Sequence, residues 1–306
     1  MTSSKPFQPN PFPLNSPKKF ASLIGIPLDQ LWDIMGQLQR IDPKARSLYE
    51  PFPRKTGSKE RIIDNPKGLL KKAQDRINQR ILSAYKFPDF IIGGVKGKDL
   101  MDHVSLHVNK RMVLTLDVKD CFPRITNKQV FRIWTDHFGA YPDTARLATI
   151  LTSHIGHLPL GAPTSNALAN LALLPCLLEV NAYITPYGFT LRQFVDDTAL
   201  SGHQMPDDFI IKIREIFIKH GFKIKRKKIC VMPNSKAQVI TNRTVNQRVN
   251  VTREKIMRVR AAVHELRKMG KDHPEYLKKL CSVGGRIADI KKYNPSQAEK
   301  LGALLS

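Results

Sequence analysis

Two places in this 306-residue sequence set aspartates against apolar runs, and they constrain the fold more than any other feature. One is Asp117, which closes the run Met112-Val113-Leu114-Thr115-Leu116. The other is the pair Asp196-Asp197, between Phe194-Val195 and Thr198-Ala199-Leu200. An aspartate at a strand end or tight turn beside apolar segments is costly to bury unless a cation shares the site. Two such elements brought together would make a hard-oxygen site suited to Mg²⁺, and two ions can clamp the attacking and leaving oxygens of a phosphoryl transfer. Taken singly, Asp196-Asp197 also reads as an Asx turn and Asp117 as a helix cap.

Charge narrows the partner. Fifty Lys and Arg face 26 Asp and Glu, a formal net charge of +24 and a pI near 10.0. Such an excess repels itself on a compact protein unless a polyanion neutralises it, and nucleic acid releases counterions when it does so. Cys121, Cys176, Cys230 and Cys281 are widely spaced, with no CxxC pair. Neither a zinc site nor a disulfide framework is suggested, and a reduced cytoplasmic compartment fits. The N-terminus lacks the apolar core of a signal peptide. No apolar stretch is read as reaching the ~18 residues of a membrane span, so no membrane partner is expected.

Periodicity supplies the elements. Residues 1–20 hold five prolines and read as an extended arm. Leu28, Leu31, Ile34, Met35 and Leu38 recur at helical spacing. Tyr49–Ile63 reads as a strand pair with a basic turn, and a helix follows Pro66 with Leu70, Ala73, Ile77 and Ile81 inward. After the glycine-rich Gly93-Gly94-Val95-Lys96-Gly97 comes the Met112–Asp117 strand. Helical patterns fill 127–138, 164–183 and 207–220, and strands flank Asp196-Asp197. From Glu254 the chain is helical and basic: Ile256, Val259, Val263 and Leu266 face inward, and Lys255, Arg258, Arg260, Arg267 and Lys268 outward. Mixed strands and helices argue for an α/β or α+β architecture.

These residues and their neighbours resemble the reverse transcriptase family. Phe194-Val195-Asp196-Asp197 is similar to its aromatic-x-Asp-Asp box, and Asp117 with Phe122 to its first catalytic strand. Leu158-Pro159-Leu160-Gly161-Ala162-Pro163-Thr164-Ser165, with Asn170, resembles the loop and helix that shape the nucleotide pocket. Gly221-Phe222-Lys223-Ile224, with Lys228, resembles the next motif. The boxes occur in the family's order, and their wording is similar to the retron branch. His107 matches the last position of the retron Asn-Ala-x-x-His motif, and Ile240-Thr241-Asn242 resembles Val-Thr-Gly with Asn for Gly. Leu160 stands where many relatives have Gln, and Asn166 where Pro is common.

The resemblance implies an α+β right-hand polymerase fold. It places an arm at 1–20, N-terminal helices and fingers at 21–110, a palm with an antiparallel sheet at 111–250, and a helical thumb at 251–306. Asp117, Asp196 and Asp197 would be the catalytic and metal-binding residues for two Mg²⁺ ions, with Mn²⁺ as an alternative. Arg61 and Lys55 (or Arg54) would meet the triphosphate, Phe122 would sit under the sugar and exclude a 2′-hydroxyl, and Gly161 would let the backbone approach the nucleotide. Lys228 would donate a proton to pyrophosphate or simply join the solvated run Lys223–Lys228. His107 would touch RNA or order a local hydrogen bond, and Lys255, Arg258, Arg260 and Arg267 would grip nucleic acid. The implied activity is RNA-directed DNA synthesis from a structured non-coding RNA, with dNTPs as substrates, an effector protein as a further partner and an anti-phage role. Alternatives are an untemplated or protein-primed abortive-infection-type polymerase and a non-catalytic RNA-binding scaffold. No nuclease or RNase H domain is expected.

Overall fold

The computed structural model describes residues 14–39, 48–56, 59–269 and 271–305. It begins with a departure from expectation. Residues 14–20, assigned above to an extended arm, lead into a packed helix: Ser16 caps helix α1 (Pro17–Ile24) by accepting the Lys19 N–H at 3.2 Å, with Pro17 in the first turn. Leu14, Phe20 and Ile24 are fully buried, and Phe20 meets the edge of Trp134 at 6.2 Å. A Ser-Pro helix start accounts for one of the five prolines that read as an extended arm; residues 1–13 lie outside the described residues.

Helix α2 (Leu28–Gln39) follows, then the antiparallel pair β1 (Tyr49–Thr56) and β2 (Lys59–Pro66) and helix α3 (Gly68–Arg80). Gln74 ties these together: its Nε2 donates to Tyr49 Oη and to the Leu151 carbonyl, both at 2.9 Å. Leu151 lies on a helix absent from the sequence reading, α7 (Pro142–Thr152), which follows a short α4 (Leu100–Val104), strand β3 (Met112–Asp117), a short α5 (Cys121–Arg124) and α6 (Asn127–Phe138). Helix α7 buries Thr144, Ala145, Leu147, Ala148, Thr149, Leu151 and Thr152, so it shows little of the one-sided stripe by which a surface helix is recognised.

Helix α8 (Ser165–Ile184) corrects a second expectation. The stretch Ser165–Tyr187 is long and apolar enough, at a mean hydropathy of 1.5, to cross a membrane by length and composition. Sixty-one per cent of that window is buried inside the fold, against α5, α6 and later α9, so its apolarity serves the core of the protein.

The central sheet is antiparallel with strand order β4-β5-β3-β6, built from β4 (Thr190–Phe194), β5 (Asp197–Gly202), β3 and β6 (Cys230–Pro233). Helix α9 (Phe209–Lys219) packs on α8. A small sheet of β7 (Val239–Ile240), β8 (Arg243–Thr244) and β9 (Asn250–Val251) leads to helices α10 (Arg253–Met269), α11 (Tyr276–Lys291) and α12 (Pro295–Ala303). Those three helices share their own apolar cluster, including Val259, Val263, Leu266, Ile290 and Leu301.

Arg243, 3% exposed, links the small sheet to α11: one guanidinium nitrogen donates to both carboxylate oxygens of Asp289 at 2.9 Å, and the group lies 4.3 Å over the Tyr293 ring. Removing one partner strands a buried charge. Asp289→Ala should therefore destabilise the protein by about 2–3 kcal/mol in denaturant unfolding, below the fully buried range because Asp289 is a third exposed.

His103 and His107 are both fully buried. Burial, then the neighbouring Arg192, holds His103 down at about 4; burial, then His103, Arg192 and Lys110, holds His107 at about 3. Both are thus neutral in the folded protein at pH values where the unfolded chain, titrating near 6.5, is already protonated. Their stabilisation is complete above pH ~6.5 and falls by up to ~1.4 kcal/mol per pH unit for each group as pH drops toward those values. Denaturant midpoints should fall between pH 6.5 and pH 4, and His107→Gln should flatten that slope.

Candidate active site

Register creates the site. Strand β3 pairs with β5 so that Asp117 stands opposite Asp197, with Leu116 opposite Thr198. The β4–β5 turn carries Val195 and Asp196, and the Val118 N–H donates to the Asp196 carbonyl at 3.0 Å. Two distant stretches of sequence are thereby brought side by side.

The turn is tightly held. Val195 has a left-handed backbone (φ 59°), which is costly for a β-branched residue. Gln193 braces it, donating from Nε2 to the Val195 carbonyl and accepting at Oε1 from Thr198 Oγ1, both at 2.6 Å. Gly93 lies against it: a Cβ there would stand 2.5 Å from the Val195 nitrogen. The Gly93 carbonyl in turn accepts from Asn170 Nδ2 at 2.7 Å. The glycine-rich loop carries no role among the expectations above; its signal is the Gly93-Gly94 pair itself, since close backbone approach requires a residue without Cβ.

The electrostatics are uneven. Asp117 is 4% exposed and ion-paired to both Lys225 and Lys228. Burial alone would raise its pKa, but the hydrogen bonds from the two ammonium groups outweigh it and hold the carboxyl below its ordinary range. Asp196 is pushed up, by burial and then by Asp117. Asp197 is pushed up to about 6, by burial and then by Asp196 and Asp117. Lys225 was not singled out from the sequence; a short helical turn over Arg226–Lys228 brings it and Lys228 to the same carboxylate, which a basic run does not reveal.

Among the described residues, no group of three His, Cys, Asp or Glu side chains stands in metal-holding geometry, and Asp117 faces lysines. The donor set nonetheless fits a hard divalent cation. Three carboxylates crowd together, and two are raised by burial and mutual repulsion that a cation would relieve.

A cavity of about 390 Å³ opens beside the turn, lined by Asp196, Lys225, Phe122, Arg61 and Leu160 among others. A second, of about 250 Å³, is lined by Asp117, Asp197, Lys228, His103 and Thr241 among others. The structure thus gathers Asp117, Asp196, Asp197, Phe122, Arg61 and Lys228 around one centre.

The remaining expected site residues lie as follows. Gly161 (φ 107°) approaches protein: a Cβ there would meet Ile63 Cγ2 at 2.5 Å, and the neighbouring Leu160 carbonyl accepts the Asp64 N–H at 2.8 Å. Packing on β2 is therefore one reason for a glycine at this exposed position. His107 is fully buried and hydrogen-bonded through Nδ1 to Ser201 Oγ at 2.7 Å, so of its two expected roles it takes the local hydrogen bond, bracing β5, and has no exposed surface to offer RNA. Lys255 is ion-paired with Asp289; Arg258 is exposed and pairs with Glu254 one turn back, and Arg260 and Arg267 also stand exposed on α10. The Lys55 side chain lies outside the described residues.

Residues 53–241 match the family described as "Reverse transcriptase (RNA-dependent DNA polymerase)". Among curated proteins, the chain is 30% identical over 270 residues to the retron Mx65 reverse transcriptase of Myxococcus xanthus, covering 81% of this chain and 62% of that protein. It is 25% identical to the retron Se72 enzyme of Salmonella heidelberg, covering 91% and 78%. To the retron Ec86 enzyme of Escherichia coli it is 27% identical, covering 67% and 65%. The match thus spans about two thirds of these relatives' length. A foamy viral protease–reverse transcriptase solved with double-stranded DNA aligns at TM-score 0.49 and 16% identity, over 84% of this chain and 38% of that one. With the aspartate boxes falling inside the matched segment, the chain belongs to the reverse transcriptase family, and its curated relatives are retron enzymes.

Proposed function

We propose that this chain is an RNA-directed DNA polymerase that copies a structured non-coding RNA into cDNA, using dNTPs and Mg²⁺ in the cytoplasm. The observation that carries the reading is the register of Asp117 opposite Asp197, with Asp196 on the adjoining turn beside a cavity that holds Phe122 and Arg61. Retron-named relatives support the retron setting, in which an effector protein and an anti-phage role are part of the proposal.

Asp117, Asp196 and Asp197 would hold the divalent ions that this family uses. When bound, such ions activate the attacking hydroxyl and neutralise charge on the phosphates. The protein's own groups do the rest. Lys225 and Lys228 neutralise Asp117, and were Asp117 to hold a metal their ammonium groups would be available to phosphate oxygens. Arg61 lines the cavity near enough for its charge to be felt at Asp196, where it meets a triphosphate. Phe122 is buried from the core side and forms the cavity wall under the sugar, where a 2′-hydroxyl would collide with it. Exposed Arg260 and Arg267 on α10 serve as a thumb that holds phosphates without reading sequence.

Asp196→Asn with Asp197→Asn should lower dNTP incorporation by more than about a hundredfold while leaving RNA co-purification intact. Wild-type cDNA should be complementary to the RNA that co-purifies; an untemplated product would refute the reading. Phe122→Ala should raise ribonucleotide use relative to dNTP by about tenfold or more in competition assays. An unchanged ratio would leave Phe122 as core packing only.

A further inference from the structure

Ile155 is a β-branched residue in a left-handed backbone, with φ 47°. It sits at the tip of a tight turn in which the N–H groups of His154 and His157 donate to each other's carbonyls, at 2.8 and 3.1 Å. Gly156 follows with φ 81°, so both central residues are left-handed, the pattern that strongly favours Asn-Gly. Isoleucine is among the poorest choices there, because its branched side chain crowds the backbone in that region.

Neither burial nor core packing accounts for it. Ile155 is 75% exposed, the most exposed of the large apolar side chains described. It also lines the cavity that contains Asp196, Phe122 and Arg61, along with Ile62, Leu158 and Leu160.

The turn is also locked in place, which lets strain persist. Asn127 donates its N–H to the Gly156 carbonyl and Leu158 donates to the Ile125 carbonyl, both at 3.1 Å, which ties the turn to the segment just after Phe122. On its other flank the Tyr49 ring stacks on His154 at 4.0 Å. A strained residue that is exposed, fixed and aimed at a cavity is explained by what it contacts there.

We propose that Ile155 is a specificity-determining contact whose side chain forms an apolar wall against the nucleobase of the incoming nucleotide. This rests on the polymerase reading above. The chemistry required is a flat, weakly polar face bordered by groups for a sugar and phosphates, and the cavity offers those groups in Phe122 and Arg61. A templating base presents the same face, and the two sources separate experimentally.

The test measures thermal unfolding and steady-state dNTP incorporation for Ile155→Asn, Ile155→Gly and Ile155→Val. Ile155→Asn suits the left-handed turn, so its Tm should rise by about 2 °C. Both Ile155→Asn and Ile155→Gly should raise KM for dNTP by about fivefold or more, with kcat changed far less. Ile155→Val, still apolar and β-branched, should stay near wild type in KM. A KM for Ile155→Asn within twofold of wild type overturns the proposal, as does a lower Tm. Unchanged KM with weakened primer–template binding would assign the wall to the template base and overturn the incoming-nucleotide assignment. A wild-type chain that incorporates no dNTP sinks the polymerase reading itself, whatever the Tm shift.

Discussion

The cross-strand pairing of Asp117 with Asp197 is the constraint on which the rest of the site depends. Like charges directly opposite on an antiparallel pair repel, and burial sharpens the repulsion. The protein meets it in two ways. Lys225 and Lys228 neutralise Asp117, while Asp197 is left with a carboxyl pushed up to about 6 by burial and its acidic neighbours. The centre is thus electrostatically unsatisfied on the Asp196-Asp197 side and lysine-capped on the Asp117 side.

Such a centre needs a rigid frame, and the frame is made of backbone more than of side-chain charge. The Asp196 turn is fixed by Gln193, by the close approach of Gly93 and by Asn170 behind it. Two left-handed β-branched residues, Val195 and Thr241, stand next to the carboxylates or line an adjoining cavity, and Ile155 lines the other. Strain that persists around one centre has to be over-determined by the structure packed against it, as the contacts of Gln193 and Gly93 do for Val195.

The sequence made part of this legible, for physical reasons that differ by element. Strand β3 and helix α6 could be read to the residue, because one is a short apolar run with a charge at its end and the other has a Thr126–Gln129 capping box and Gly139 after its last turn. The two acidic stretches were recognisable singly, but their register was not, since pairing partners eighty residues apart leave no local trace. Helix α7 escaped because a helix buried on most sides loses its amphipathic period. The basic residues were the hardest to sort. Lys225, Lys228 and Lys255 look alike in sequence to Arg260 and Arg267, yet the first three are engaged with carboxylates inside the chain.

That distinction bears on the net charge of +24. An internal ion pair removes one charge of each sign, so every lysine engaged by an aspartate leaves the surplus unchanged. Asp117 and Asp289 are each shared by two cations, so part of the excess sits at those pairs, and part on exposed cations such as Arg260 and Arg267 of α10. On that helix Val259, Val263 and Leu266 are committed to the C-terminal cluster. The same apolar stripe that fixes the helix thus fixes which way Arg260 and Arg267 face, toward solvent, where exposed cations are open to phosphate contacts.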